Sequence, residues 1–267
     1  MSLDLILAFA AQHADSPEQI YKVDNTWSQG RTIYGGLSAG ILYNAMRQYV
    51  AQERPIRAIN THFVGPLLAD TDFRVQVEIL REGKNVSQIQ ARAIQNDKIC
   101  VLSTACFAQG RNSKITVNNT DQHLLQPPNK KSFIPQIPKI TPKFLQHIEL
   151  AIQEGGVPFL GNKSSHYYGW MRFKNSVEHF NTEHLISIID AWPPTLLQML
   201  KWPAPASTVN WNLEFIYPHR QILPTDWLAY KANTRQAAEG YGHTEANIWD
   251  AQGELIAISR QTVAVFD

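Results

Sequence analysis

Cysteine is scarce in this chain, with 2 among 267 residues, Cys100 and Cys106. A disulfide scaffold is therefore not expected. Their even spacing in one strand-like run puts both on one face, too far apart to bridge easily. They read as reduced thiols and the compartment as cytosolic. Long apolar runs are missing too. Nothing approaches ~18 uninterrupted apolar residues, so no transmembrane helix is expected. The opening MSLDLILAFAAQHA lacks a basic start and carries Asp4 inside its apolar run. It reads as an amphipathic first helix rather than a signal peptide. Charge of one sign is also lacking: 24 Lys+Arg against 23 Asp+Glu leave a net +1. That balance gives no electrostatic case for nucleic acid or an anionic membrane surface. The 9 His are scattered, with no His-x-x-x-His or Cys-x-x-Cys ligand set, so no metal is expected. There is no G-x-S-x-G elbow and no phosphate-cradling G-x-x-x-x-G-K-[ST] loop. The chain is expected to work without a cofactor.

What the chain does have is a long internal repeat. Arg57 to Phe107 and Thr208 to Phe266 follow one plan. Each opens on a β-type run, RAINTHFV or TVNWNLEFIY, followed by a Pro-containing turn (Pro66; Pro218 and Pro224). A strand then begins with Asp before an aromatic, Asp72-Phe73 or Asp226-Trp227, and leads to a Glu-Gly turn, Glu82-Gly83 or Glu239-Gly240. ICVLSTACFA and LIAISRQTVAVF close the copies. An apolar helical segment precedes each: GLSAGILYNAMRQYVAQ and HLISIIDAWPPTLLQML. The unit is too long for a solenoid and has the size of a small domain. The reading is an N-terminal domain over 1–110, a linker over 111–141 and a C-terminal domain over 142–267.

Period-two alternation supports antiparallel strands buried on one face. Phe73, Val75, Val77 and Ile79 share a face, as do Val209, Trp211, Leu213 and Phe215. On that count Thr208 falls with Asn210, Asn212 and Glu214 on the polar face. Asn96-Asp97 and the stretch Asp250 to Gly253 read as turns. FLQHIELAIQEG fits strand or helix, and strand is the preferred reading. The segment from Gly36 to Gln52 is apolar nearly all round, so a helix there is buried on several sides. Gly35-Gly36 stands at its start, where bare backbone N–H groups face outward. QPPNKKSFIPQIPKITP has no period and reads as an extended surface connection.

These pieces resemble a known family. IYGGLSAGIL, THFVGPLLADTDFRVQVEILREGKN and AIQNDKICVLSTACF resemble the N-terminal half of TesB-like acyl-CoA thioesterases. YYGWMRF, IIDAWPP, STVNWNLEF and AAEGYGHTEANIWDAQGELIAISRQ resemble the C-terminal half of the thioesterase-like superfamily. The likeness runs from about Asp24 to Phe266. It implies an α+β double hot-dog: two tandem repeats, each a long central helix wrapped by an antiparallel sheet, with the sheets joined edge to edge. It implies hydrolysis of an acyl-CoA thioester, with an Asp on the second helix, a Ser or Thr opening the next strand, and a Gln on the last strand. Those match Asp190, Thr208 and Gln261. At the place of Gln261 the first copy offers Ala105 or Thr104, and its helix has no carboxylate to match Asp190.

The chemistry is consistent with that assignment. Water needs a base beside it, and the carbonyl oxygen needs donors where negative charge grows. Asp190 can take the proton, Gln261 and Thr208 can position the water, and amides near Gly35, Gly36 and Leu37 can serve as oxyanion donors. Each residue also has a plainer reading. Asp190 is equally a paired structural acid, Thr208 an ordinary strand residue, Gln261 a polar group among apolar ones, and Gly35-Gly36 a site of close packing. Trp27, Trp170, Trp192, Trp202 and Trp211 read as core or pocket wall. Lys130, Lys131, Lys139 and Lys143 are candidates for coenzyme A phosphates, or simply solvated. Rival functions are a non-catalytic acyl-CoA or fatty-acyl binding protein and an enoyl-CoA hydratase. The hydratase needs an Asp and a His together, and Asp190 is followed by Ala191-Trp192-Pro193-Pro194 instead. Exposed sheet edges lead to an expected homo-oligomer, a dimer or larger.

Overall fold

The structure is a computed structural model that describes residues 3–12, 18–128, 134, 141–175 and 177–266. Helix α1 spans Leu3–Gln12, and strand β1 (Glu18–Tyr21) follows. A small hairpin, β2 (Ser28–Gln29) and β3 (Thr32–Ile33), leads into α2 (Gly35–Arg47). The first copy continues as β4 (Ile56–Phe63), β5 (Phe73–Glu82), β6 (Val86–Gln95) and β7 (Lys98–Ala108). The second copy contains β8 (Ile148–Glu154), β9 (His166–Phe173), α3 (Thr182–Ile189), β10 (Ala206–Phe215), β11 (Leu228–Ala238), β12 (Tyr241–Trp249) and β13 (Leu255–Val265).

All strands but β2 and β3 form one sheet, in the order β1-β5-β6-β7-β4-β10-β13-β12-β11-β9-β8. The two copies meet where β4 pairs antiparallel with β10, with Asn60 opposite Asn212. Asn60 and Asn212 are the equivalent residues of the two copies, so a pseudo-twofold axis passes between them. The duplication extends to the irregularities. A bulge at Arg57 between β4 and β7 is matched by one at Val209 between β10 and β13. A bulge at Cys100 between β7 and β6 is matched by one at Ile256.

Every residue of α2 from Gly36 to Met46 is buried, as an all-round apolar helix should be. It packs on β5, β6 and β7 on one side and on α3 and α1 elsewhere. Leu37, Ile41, Leu42 and Met46 each contribute roughly 1.5–3 kcal/mol by leaving water. The helix ends at Arg47, short of Gln52, where the Arg47 guanidinium turns back onto the carbonyls of Val50, Ala51 and Gln52. The second helix is not the long one expected. It starts at an Asn181 capping box closed by His184 and stops at Asp190, after eight residues. Pro193 and Pro194 cannot continue a helix and push the preceding residue out of it. A short 3-10 turn, Thr195–Gln198, occupies what reads in sequence as the rest of that helix.

Two face assignments also change. The bulge at Cys100 turns that residue inward, whereas Cys106 lies on the half-buried side, so the two thiols do not share a face. Trp202 is 81% exposed and belongs to neither core nor pocket wall. The ambiguous FLQHIELAIQEG divides into a 3-10 turn, Lys143–His147, and strand β8. Residues 109–128 carry no helix or strand, and the stretch from Asp121 to Gln126 lies against the second copy, where Trp249 and Trp170 donate to the carbonyls of Asp121 and Gln126. Lys130, Lys131 and Lys139 lie outside the described residues. Among the described residues, no helix is long and apolar enough to cross a membrane, and no cluster of His, Cys, Asp and Glu could hold a metal ion.

Candidate active site

Helices α2 and α3 run antiparallel and cross where glycine permits. A Cβ on Gly40 would lie 2.4 Å from the Ser187 hydroxyl, and one on Gly36 would lie 2.5 Å from the Ser187 carbonyl. Tyr34, the N-cap of α2, seals the crossing by donating to that carbonyl at 2.6 Å. Close approach brings the start of α2 against the end of α3. There Asp190 sits as the C-cap, and its Oδ2 lies 2.8 Å from where a Gly35 Cβ would be. The two glycines thus do what their plainer reading says, and the packing they allow delivers a carboxylate to a helix N-terminus.

The last strand supplies the second group. Gln261 on β13 lies opposite the fully buried Trp211 on β10, so it faces inward. Its Nε2 donates to Asp190 Oδ1 at 2.7 Å. Asp190 and Gln261 therefore meet across 71 residues of chain. Part of the Asp190 residue is accessible, yet protein packs densely around its carboxyl. Burial pushes its pKa up from 3.8 to about 7, against the opposing pull of the Gln261 amide and the Gly36 N–H. The environment thus creates a carboxylate that titrates near neutrality.

Thr208 is half-buried and is the third residue of β10. Strict alternation along the sequence puts it on the polar face. The bulge at Val209 reverses this: Thr208 is in register with the buried Val263, which shares a face with Gln261. Its hydroxyl makes no hydrogen bond to Asp190 or Gln261. At the start of α2, Ser38 is the first residue to donate within the helix, to the Tyr34 carbonyl at 3.0 Å. The N–H groups of Gly35, Gly36 and Leu37 precede it and have no partner inside the helix. Gly36 turns its N–H toward Asp190. Negative charge at this point is favoured by the dipole of α2.

Of the aromatic shell around this carboxylate, the sequence marks Trp192 alone, as core or pocket wall. Tyr34 stacks on Phe144 with centroids 4.0 Å apart, and the Phe63 ring lies 3.1 Å from the Gly35 Cβ position. Trp192 stacks on Tyr230 with centroids 5.4 Å apart. The ionised Asp190 raises the pKa of both Tyr34 and Tyr230, after burial itself. The only signal available was Tyr34 directly before Gly35-Gly36 and Trp192 two residues beyond Asp190.

Two hot-dog units fused in one chain, with a buried carboxylate–amide pair at their seam, define the class. Comparison with known proteins supplies the family. The acyl-CoA thioesterase N-terminal domain profile matches residues 23–108 and the acyl-CoA thioesterase C-terminal domain profile matches residues 121–265. The chain belongs to the acyl-CoA thioesterase family and is a thioester hydrolase. Acyl-CoA thioesterase 2 of Haemophilus influenzae is 22% identical over 262 residues, covering 86% of each chain. A hot-dog-fold protein from Alicyclobacillus acidocaldarius superimposes with a TM-score of 0.83 at 18% identity, covering 100% of this chain and 98% of the other. An acyl-CoA thioesterase II from Mycobacterium marinum gives 0.74 at 18% identity, covering 99% and 98%.

Proposed function

We propose that this chain hydrolyses an acyl-CoA by direct attack of a water that Asp190 deprotonates. The observation that carries the reading is the buried Asp190 carboxylate held by Gln261 at 2.7 Å, with a pKa raised to about 7. A base poised near neutrality is half-ionised there and still accepts a proton readily. Water oxygen bonds to the thioester carbon while its proton moves to Asp190. The carbonyl electron pair moves onto oxygen, and the intermediate collapses by breaking the C–S bond. The departing thiolate takes back the proton held by Asp190, leaving free acid and thiol. Gln261 fixes one carboxylate oxygen and keeps its own Oε1 for the water. Thr208, on the same sheet face, is assigned to the water or the thioester from the entrance side. The amides of Gly35, Gly36 and Leu37, at the start of α2, are assigned as the candidate donors to the oxyanion.

We assign the two halves as domains 1–110 and 142–267 joined by 111–141, in a cytosolic protein. Among the described residues its sheet ends at β1 and β8, the edges where a homo-oligomer would pair. The decisive experiment is thiol release from an acyl-CoA panel by the wild type and by Asp190→Asn. Loss of turnover in a folded Asp190→Asn protein is the expected result. Hydrolysis at the wild-type rate in that variant overturns the assignment.

A further inference from the structure

We propose that the stacked pair Trp192 and Tyr230 is the floor of the acyl pocket and restricts the enzyme to short acyl groups. The inference rests on the Asp190 reading and concerns the substrate class of that same site. The thioester carbon must sit beside Asp190. The coenzyme A side is large, polar and charged, so it stays toward water, and the acyl chain points into the protein. In that direction the space is already filled.

Past Asp190 the chain turns at Ala191 and seats Trp192 on the inner face of the second half, 5% exposed. Its indole lies flat on Tyr230 of β11, with rings 4° from parallel. Tyr167 of β9 closes the other side at 5.7 Å between centroids. The fit extends to the backbone: a Cβ on Gly169 would lie 2.7 Å from the far edge of the Trp192 ring. Across the carboxylate, Phe63 and the Tyr34–Phe144 stack form the opposite wall. A long acyl chain running past Asp190 in this direction must displace the Trp192 ring, which packs against Tyr230 and Tyr167. The first copy shows that bulk here is not demanded by the fold. Tyr230 lies opposite Ile248, and the equivalent pair in the first copy is Val75 opposite Ala93.

The test is kcat/KM for acetyl-, butyryl-, hexanoyl-, decanoyl- and palmitoyl-CoA, read by thiol release. For the wild type, decanoyl- and palmitoyl-CoA are expected at least about tenfold below the best short substrate, the size of effect that a few misplaced methylenes produce in a closed pocket. Trp192→Ala and, separately, Tyr230→Val should raise the long-chain values toward the short-chain one. Tyr230→Val installs the residue of the equivalent position and keeps the test available if Trp192→Ala does not fold. A flat wild-type profile across chain length overturns the floor, as does a long-chain preference or an unchanged profile in a folded Tyr230→Val. Asp190→Asn, run beside them, reports on the underlying reading separately. Wild-type turnover in that variant removes the base assignment whatever the chain-length profile.

Discussion

Nine residues beyond its N-cap Asn181, α3 presents Asp190 to Gly35 and Gly36; nine beyond its N-cap Tyr34, α2 presents Tyr43 to Thr182 and Glu183. The two ends of the helix pair are related by the pseudo-twofold axis, and their chemistry has diverged. Register extends the correspondence to the sheet. Trp211 opposite Gln261 matches Ile59 opposite Ala105, and Thr208 opposite Val263 matches Ile56 opposite Phe107. Acid, hydroxyl and amide at one end are therefore phenol, isoleucine and alanine at the other. The second end opens into a cleft of about 760 Å³ that Tyr43, Thr182 and Glu183 help line. Its two guanidiniums are engaged: Arg47 on the carbonyls after α2, and Arg220 on Asp226 and Asp250. Duplication supplied the frame twice, and the buried carboxylate–amide pair proposed as the reactive centre occupies one frame. On the proposed mechanism, a buried, oriented carboxylate marks the reactive end, and an open cleft does not.

The sharpest way to break that comparison is to blunt the first end. Asp190→Asn should lower kcat/KM by about 10²–10⁴, the usual contribution of a general base, with the fold intact by circular dichroism. In the wild type, kcat/KM should fall as pH drops below about 7, where Asp190 takes up its proton. Gln261→Leu comes next, at roughly 10–10²-fold, because one oriented donor is lost. It carries a sharper signature. The Gln261 bond pulls the Asp190 pKa down, so losing it should move the pH–rate midpoint to alkaline values. A rate loss with an unmoved midpoint would show that Gln261 acts elsewhere.

Stability separates the ends as well. Gly36→Ala puts a methyl against the Ser187 carbonyl and the Tyr34 hydroxyl, at 2.5 and 2.6 Å. The helices must part, at a cost of about 1–3 kcal/mol in a urea melt. Asp190 itself should weaken the fold when ionised. Its carboxyl titrates near 4 in the unfolded chain and at about 7 in the fold, so between those values the folded state keeps a proton that the unfolded state has lost. Stability therefore falls as pH rises from about 4 to about 7 and stays low above. Asp190→Asn should be the more stable protein at pH 8 by roughly 1–3 kcal/mol, and equal to wild type at pH 4. Equal melting curves at both pH values would contradict a carboxyl that burial raises to about 7.

Much of this was legible in the chain because its cues are local or repeated. The duplication, the buried α2 and the helix start at Gly35-Gly36 all rest on short-range or repeated cues. What alternation could not carry across was the bulges. One extra residue at Val209 or Cys100 reverses inside and outside for everything beyond it. Thr208 and Cys100 were misassigned for that reason alone. The contact of Gln261 with Asp190 spans 71 residues, and alternation along β13 gives its face but not its partner. Tyr34, Phe144, Trp192 and Tyr230 come from four separate segments, so no window of sequence displays them as a shell.

The smallest expected effect probes the silent end. The Tyr43 hydroxyl lies beside the Thr182 side chain, where the Tyr217 hydroxyl also converges. Tyr43 is buried and its ring stacks on Phe107 with centroids 6.0 Å apart. Tyr43→Phe keeps that packing and deletes only the hydroxyl, so it should change stability by less than about 1.5 kcal/mol. Turnover of every acyl-CoA in the panel should stay at the wild-type value, because the base, the amide and the oxyanion donors all lie at the far end of α2. A tenfold or greater loss of kcat/KM in a folded Tyr43→Phe would mean that the second end takes part in the reaction. The two frames would then have to be treated as one coupled site rather than as a working copy and a relic.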